Sequence, residues 1–238
     1  MKIAILLPAR NSAKTIKKSL DSIVYQTFFQ NSNNTYDIYL IDNMSDDELR
    51  SESTTRQYLQ DYKNIIYMQC DVLGIGPPLN TGIFSIMQDN EIEYIFRLDP
   101  DDEWLPDKVQ LQTDFLSKNR DVDICGTGMN FVDLDGNLLQ KVLYWENDTD
   151  IKQALLNGCN PMAHPSVAYK KKIFLFCGGY NQFYEGAEDL DLWIRCSKKF
   201  KFYNIQKPLV NYSFNPKSQT DRNIQADKLH RKMISWYE

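Results

Sequence analysis

The residues of this chain best placed to do chemistry are carboxylates that follow apolar runs. In "YIFRLDPDDEWLPDK", residues 94–108, the run stops at Asp99, Pro100, Asp101 and Asp102. Residues two apart in an extended segment point to the same side, so Asp99 and Asp101 can converge on one ligand while Asp102 faces elsewhere. Pro100 fixes its own φ and biases Asp99 toward extended backbone, which stiffens that geometry. Two hard carboxylate oxygens at one place suit Mg²⁺ or Mn²⁺, cations that keep open positions for water or phosphate oxygens. The competing reading is a solvated acidic turn before a helix that Pro106 opens. An EF-hand starting at Asp99 fails, because Trp104 and Gln110 stand where glycine and glutamate are required. A phosphatase-type Asp-x-Asp-x-Thr/Val nucleophile motif is disfavoured by Glu103.

Three further stretches carry candidates. In "LIDNMSDDE", Asp42 and Asn43 follow a strand, where a carboxylate can accept from a base N–H or from ribose hydroxyls; the alternative is a turn in which Ser45 or Asp46 caps the next helix. In "EGAEDLDLWIR", Glu188 and Asp189 begin a helix whose Leu190, Trp193 and Ile194 form the buried face. A carboxylate at that rigid terminus can act as a general base, and it also complements the helix dipole. In "NPMAHPS", His164 lies between two prolines, either as a hydrogen-bonded structural residue or as a ligand. His230 reads as solvated. "GIGPP", Gly74 to Pro78, lacks both the G-x-G-x-x-G spacing and the Walker lysine, and reads as an irregular loop.

The elements that must hold these residues alternate. "KIAILLP", "YDIYLID", "NIIYMQC" and "EYIFRLD" are strand-length apolar runs. Between them lie helical patterns: "AKTIKKSLDSIVYQ" with Ile16, Leu20, Ile23 and Val24 on one face, "DDELRSESTTRQYLQDY", and "TGIFSIMQDN". This rhythm predicts an α/β fold with a mostly parallel central sheet flanked by helices, and ligand sites beyond the carboxyl ends of its strands. After Leu105 come a helix "PDKVQLQTDFLSKN", a strand around "DICGTGMNFVD", a turn at "DLDGN", a short helix near "DIKQALLNG", the helix "EDLDLWIRCSKKF", a strand "KFYNI" and a polar helix from about Thr220. With no repeat and no Gly/Ser linker, a single domain is expected over residues 1–238, its halves meeting near residue 105.

Composition narrows the function. Lys and Arg number 27 against 32 Asp and Glu, a net charge of −5, which gives nucleic-acid binding no support. The five cysteines are widely spaced with no C-x-x-C pair and read as reduced, mostly buried thiols of a cytoplasmic protein. No segment approaches the ~20 apolar residues of a membrane helix, which leaves open only peripheral attachment at the inner face of a membrane.

Taken in order, "LLPARN", "YLIDNMSDD", "FRLDPDDEWLPDKVQLQ", "NPMAHPSVAYKK" and "GGYNQFYEGAEDLDLWIR" closely resemble the inverting glycosyltransferases of family 2, which have the GT-A fold. The likeness runs from residue 2 to about 215. It implies transfer of one sugar from a nucleotide-sugar, UDP-linked by expectation, to a hydroxyl of a glycan or lipid-linked acceptor. It implies that Pro8, Arg10, Asn11, Asp42, Asn80 and Asp99 border the nucleotide, and that Asp99 and Asp101 form a D-x-D for Mn²⁺ or Mg²⁺ with Asp101 the principal ligand. Asp189 would be the catalytic base, assisted by Glu188, and Trp193 would pack beneath the site. His164, Trp193 and Arg97 are further candidates near the diphosphate or acceptor. Leu79 departs from the pattern, standing where relatives often carry a basic residue. Two rival readings fit less well: a sugar-1-phosphate nucleotidyltransferase would need a glycine run that "PARNSAKT" lacks, and a catalytically silent sugar- or nucleotide-binding module would be expected to lose Asp101 or Asp189.

Overall fold

The first strand is apolar on both sides, and both sides are covered. In β1 (Lys2–Ala9), Ala4 and Leu6 face one core while Ile3, Ile5, Leu7 and Ala9 face another. A period of two with both faces buried is why the run shows no polar alternation. A computed structural model of the chain describes residues 1–48 and 52–214, with only the backbone of residues 52–56.

Parallel pairing joins β3 (Ile65–Gln69), β2 (Thr35–Asp42), β1 and β4 (Ile92–Arg97) in that order. Helices α1 (Ile16–Val24), α2 (Glu52–Asp61) and α3 (Gly76–Met87) make the crossovers that parallel strands require. Beyond β4 the sheet turns mixed. The strand β8 (Ala168–Lys170) is antiparallel to both β4 and β6 (Ile124–Val132). The long β9 (Phe202–Ser213) runs parallel to β6 and carries β5 (Glu103–Trp104) on its far edge, while β7 (Leu138–Val142) folds back on β6 as a hairpin. The parallel layer thus belongs to the first half, and short returns in the second half force antiparallel pairs. One sheet nevertheless spans both halves.

Helix α3 packs one face through Leu79, Ile83 and Ile86, together with α5 (Asp148–Leu156), α6 (Ile173–Cys177) and α7 (Glu188–Ser197). The other face takes α1 through Ile16, Leu20 and Ile23, and α4 (Lys108–Lys118) through Val109 and Leu116.

Three local expectations are corrected. Gly76, Pro77 and Pro78 are not loop but the first turn of α3, where a missing proline N–H costs nothing because that turn's donors have no helical acceptor. Ser45 and Asp46 do not abut α2. Instead Ser45 is tied to the first strand loop, its Oγ accepting from the Asn11 N–H at 2.9 Å and its own N–H donating to Asp42 Oδ1 at 3.1 Å. The last strand extends well past "KFYNI" to Ser213, the step at Pro208 being absorbed by a register shift against Gly128. The expected helix from Thr220, with His230, lies outside the described residues, and so does the start of "DDELRSESTTRQYLQDY" at 49–51. No helix among the described residues is long and apolar enough to cross a membrane.

Gly82 sets the closeness of α3 to the sheet: a Cβ there would lie 2.3 Å from Leu6 Cδ1 and 2.7 Å from Ile41 Cδ1. Gly82→Val is therefore expected to lower stability by about 1–3 kcal/mol through overpacking, read as a reduced urea midpoint at unchanged slope. An unaltered midpoint would show that the layer can spread at no cost.

Candidate active site

The strand ends bring the acidic loops together. Asp42 ends β2 beside Ala9 of β1. It is buried, with Oδ1 accepting from Ser45 N–H and Oδ2 from the Tyr67 hydroxyl at 3.4 Å. Asn11 sits in the left-handed region at φ 50°, which asparagine tolerates better than most residues, and its Oδ1 accepts from Asp46 N–H at 2.9 Å. The loops after β1 and β2 are thus laced into one floor, with Pro8 half-buried and Arg10 exposed beside it. Asn43 holds the next loop: its amide donates to the carbonyls of Cys70 and Val72 and accepts from Gly74 N–H.

At the end of β4, Arg97 is buried with its side chain 4% exposed and ion-paired to Asp99. The aspartate loop that follows is clamped from two sides. Ser19 of α1 donates to the Asp102 carbonyl at 2.7 Å, Ser22 accepts from Trp104 N–H, and Asp102 Oδ1 accepts from Ser213 N–H of β9 at 2.9 Å. Asp102 is fully buried and works as this clamp, while Asp101 is open to solvent. Lys108 stands behind the loop, buried over the Trp104 and Phe96 rings and bonded to Gln112 at 2.8 Å, so burial holds its amine well below the usual lysine range.

The third wall comes from α7. Glu188 is buried, Asp189 half-buried, and Asp189 accepts from the exposed Asn160 amide at 2.8 Å and from Leu190 N–H. Trp193 is wholly buried below, edge-on to His164 with centroids 6.0 Å apart. His164 Nε2 pairs with the Tyr180 hydroxyl at 2.8 Å, which in turn meets the Tyr169 hydroxyl at 3.0 Å.

Arg97 is the charge common to all of these. Burial, then the charge of Asp99, raises the Asp101 carboxyl to about 6 even with one side open to water, and Arg97 opposes that rise. Burial and the charges of Asp99 and Asp101 push Asp102 well above the carboxylate range. Burial and Asp189 bring Glu188 to about 7, and Asp189 is itself raised by burial against the pull of Asn160, Leu190 N–H and Arg97. Burial and Arg97 keep His164 neutral. Asp99, Asp101, Glu188 and Asp189 are therefore brought around one guanidinium.

Among the described residues no three carboxylate, imidazole or thiol groups converge to hold a metal unaided. Asp99 to Asp102 form a turn closed by Asp102 N–H donating to the Asp99 carbonyl at 3.2 Å, not the extended segment expected from the sequence. The donors still suit a hard cation, since the charge of Asp99 bears on Asp101, a divalent charge would relieve that repulsion, and the ligand would supply the remaining positions.

Residues 4–175 match the family described as Glycosyl transferase family 2. The chain belongs to this family. It is a glycosyltransferase, similar to the O-antigen biosynthesis glycosyltransferase WbnJ of Escherichia coli at 26% identity, over 91% of this chain and 81% of WbnJ. Among solved structures it resembles S. aureus TarS 1–349 in complex with UDP-GlcNAc, with a TM-score of 0.75 at 16% identity, over 100% of this chain and 66% of that one. It also resembles a mannosyltransferase from Pyrobaculum calidifontis in complex with GDP-Man and Mn²⁺, with a TM-score of 0.71 at 15% identity, over 98% of this chain and 64% of that one. Identities this low show a shared GT-A fold, and the glycosyltransferase described here spans about two thirds of those solved chains.

Two positions stand differently from the sequence expectation in this glycosyltransferase. Asn80, expected at the nucleotide, spends its amide on the backbone of Tyr180, donating to the carbonyl at 2.8 Å and accepting from the N–H at 2.7 Å. Leu79 is fully buried in the core that α3 shares with the sheet, so its place faces the sheet and not the strand-end loops. Sequence reading missed Tyr180, Tyr169 and Asn160. The one available signal was "GGY", since a Cβ on Gly179 would fall 2.2 Å from Asn80 Oδ1.

The Glu188 shift has a consequence for stability. Between its ordinary value of 4.5 and about 7, the native state keeps a proton that the unfolded chain has lost, so this group's contribution falls as pH rises through that window. Glu188→Gln should flatten the decline in urea-unfolding free energy between pH 4.5 and 7.5. An identical slope in the variant would clear Glu188 of that role.

Proposed function

We propose that the chain transfers one sugar, with inversion, from a nucleotide-sugar to a hydroxyl of a glycan or lipid-linked acceptor. The observation that carries the proposal is the gathering of Asp99 and Asp101 from β4's loop and Glu188 and Asp189 from α7 around buried Arg97. Two carboxylates in one loop offer hard oxygens to a cation, and two at a helix start with raised affinity for protons are suited to a base.

In this reading Asp42, with Pro8, Arg10 and Asn11 around it, borders the base and ribose. Asp99 and Asp101 would hold Mn²⁺ or Mg²⁺, which supplies positive charge against the oxygen of the departing diphosphate. Arg97 orients Asp99 through their ion pair. Asp189 takes the proton of the acceptor hydroxyl as that oxygen attacks the sugar from the face opposite the leaving group, so no covalent intermediate is needed. Its position is fixed by Asn160 and Leu190 N–H, and burial raises its proton affinity above that of a free aspartate, as a base requires. Glu188 lies next to it, and burial together with the charge of Asp189 raises the proton affinity of Glu188.

UDP is the proposed carrier, with the TarS complex as the supporting likeness and the GDP-Man complex as its competitor. The O-antigen biosynthesis role of WbnJ supports a polysaccharide or lipid-linked acceptor, reached by peripheral attachment to a membrane.

A thermal-shift panel of UDP, GDP, CDP and dTDP, each with and without Mn²⁺, tests the donor. One nucleotide, expected to be UDP, should raise the unfolding midpoint in a metal-dependent way; at ~100 Kd the gain is about 2.7 kcal/mol. Silence from all four would sink the reading. Asp189→Asn should keep that nucleotide shift yet lose about 10²–10⁴-fold in transfer rate, as removal of a general base does. Normal turnover would remove Asp189 from the role.

A further inference from the structure

Away from the strand ends, α6 and α7 meet through two thiols. Cys177 ends α6 and is partly exposed, while Cys196 lies in the last turns of α7 with 0% exposure. Their sulfurs are 3.4 Å apart, the Cys196 thiol donating to Cys177 Sγ. That is contact without a bond, since a disulfide sulfur pair stands at about 2 Å. The backbone on the Cys177 side is already fixed, because Arg195 donates to the carbonyls of Cys177 and Gly179 while paired with Asp191. Closing the gap from 3.4 Å asks the two sulfurs to approach by roughly 1.4 Å.

We propose that Cys177 and Cys196 are a redox pair, which a small-molecule disulfide such as oxidised glutathione converts to an intramolecular bond stapling α6 to α7. This goes beyond sugar transfer and does not depend on it.

The surroundings assign each sulfur its part. The hydrogen bond from Cys196, with Arg195 and Lys199 nearby, brings the Cys177 thiol down to about 7 against the opposing effect of burial. The same hydrogen bond, burial and the charge of Asp191 raise Cys196. Cys177 is thus the accessible thiolate and Cys196 the resolving thiol. Cys177 attacks one sulfur of the reagent, forming a mixed disulfide and expelling one glutathione thiolate. Cys196 then attacks the Cys177 sulfur, forming the internal bond and expelling the second. The protons of both protein thiols end on the two released glutathiones, and two electrons pass from the protein to the reagent.

The closed ring would contain residues 178–195, which include Tyr180, Glu188 and Asp189. Oxidation would thus constrain the segment that leads into α7.

The test is peptide mapping of the full chain after incubation with oxidised glutathione and alkylation of remaining thiols. Cys159 is exposed and serves as the internal control for reagent access. The expected product is a crosslinked pair of peptides containing Cys177 and Cys196, about 2 Da lighter than the two reduced peptides and restored by dithiothreitol. Cys196→Ser should instead leave a stable glutathionyl group on Cys177. The proposal fails if the wild-type chain, under conditions that modify Cys159, keeps a glutathionyl group on Cys177 or returns both thiols alkylated. Because the wild-type result decides alone, a serine variant that folds poorly does not rescue the idea.

Discussion

A guanidinium buried at the end of a central strand is the constraint on which the site depends. Moving a charge out of water costs several kcal/mol unless partners replace the solvent. Arg97 has one direct ion pair, to Asp99, and its Nε lacks a partner among the described residues. The remaining compensation is diffuse: Asp101, Asp102, Glu188 and Asp189 all feel its field. The arrangement is lopsided by design, with five carboxylates around one fixed cation. Burial raises the proton affinity of Asp101, Asp102, Glu188 and Asp189 against the pull of Arg97, and His164 is kept neutral by burial and by the same guanidinium.

That electrostatic centre needs rigid walls, and three elements distant in sequence supply them. Serines on α1 hold the aspartate loop from one side and the end of β9 holds it from another, through Asp102. Asp102 is instructive because its Oδ2 is buried without a partner among the described residues. A group so placed is costly when ionised, so its raised proton affinity and its role as a clamp are two aspects of one position.

The sequence was most informative where a local rule sufficed. The βα rhythm of the first half was legible from apolar runs, because strands buried on both faces leave no other pattern. The helix start at Glu188 and the strand end at Asp99 were equally visible, since acids follow apolar residues there. What stayed hidden depends on contacts across the fold. The prolines of "GIGPP" look like loop until one knows that a helix begins at Gly76. Nothing in the sequence around Asn80 points to Tyr180, whose backbone takes both ends of that amide. The three adjacent aspartates share one residue type, and only the position of Ser213 gives Asp102 a task apart from its neighbours.

The Asn80–Tyr180 pairing also has a meaning in time. Its partners stand 100 residues apart, and β4 gains its β8 neighbour only through residues 168–170. During synthesis, the first half leaves the ribosome with an amide unsatisfied and a strand edge open until the chain reaches Tyr180. Long-range closure of this kind slows folding, since the loop must be ordered before the contact repays it. The stretch made just before α7 therefore supplies the partner of an amide in α3, whereas the aspartate loop waits for Ser213 of β9, which is made after Asp189.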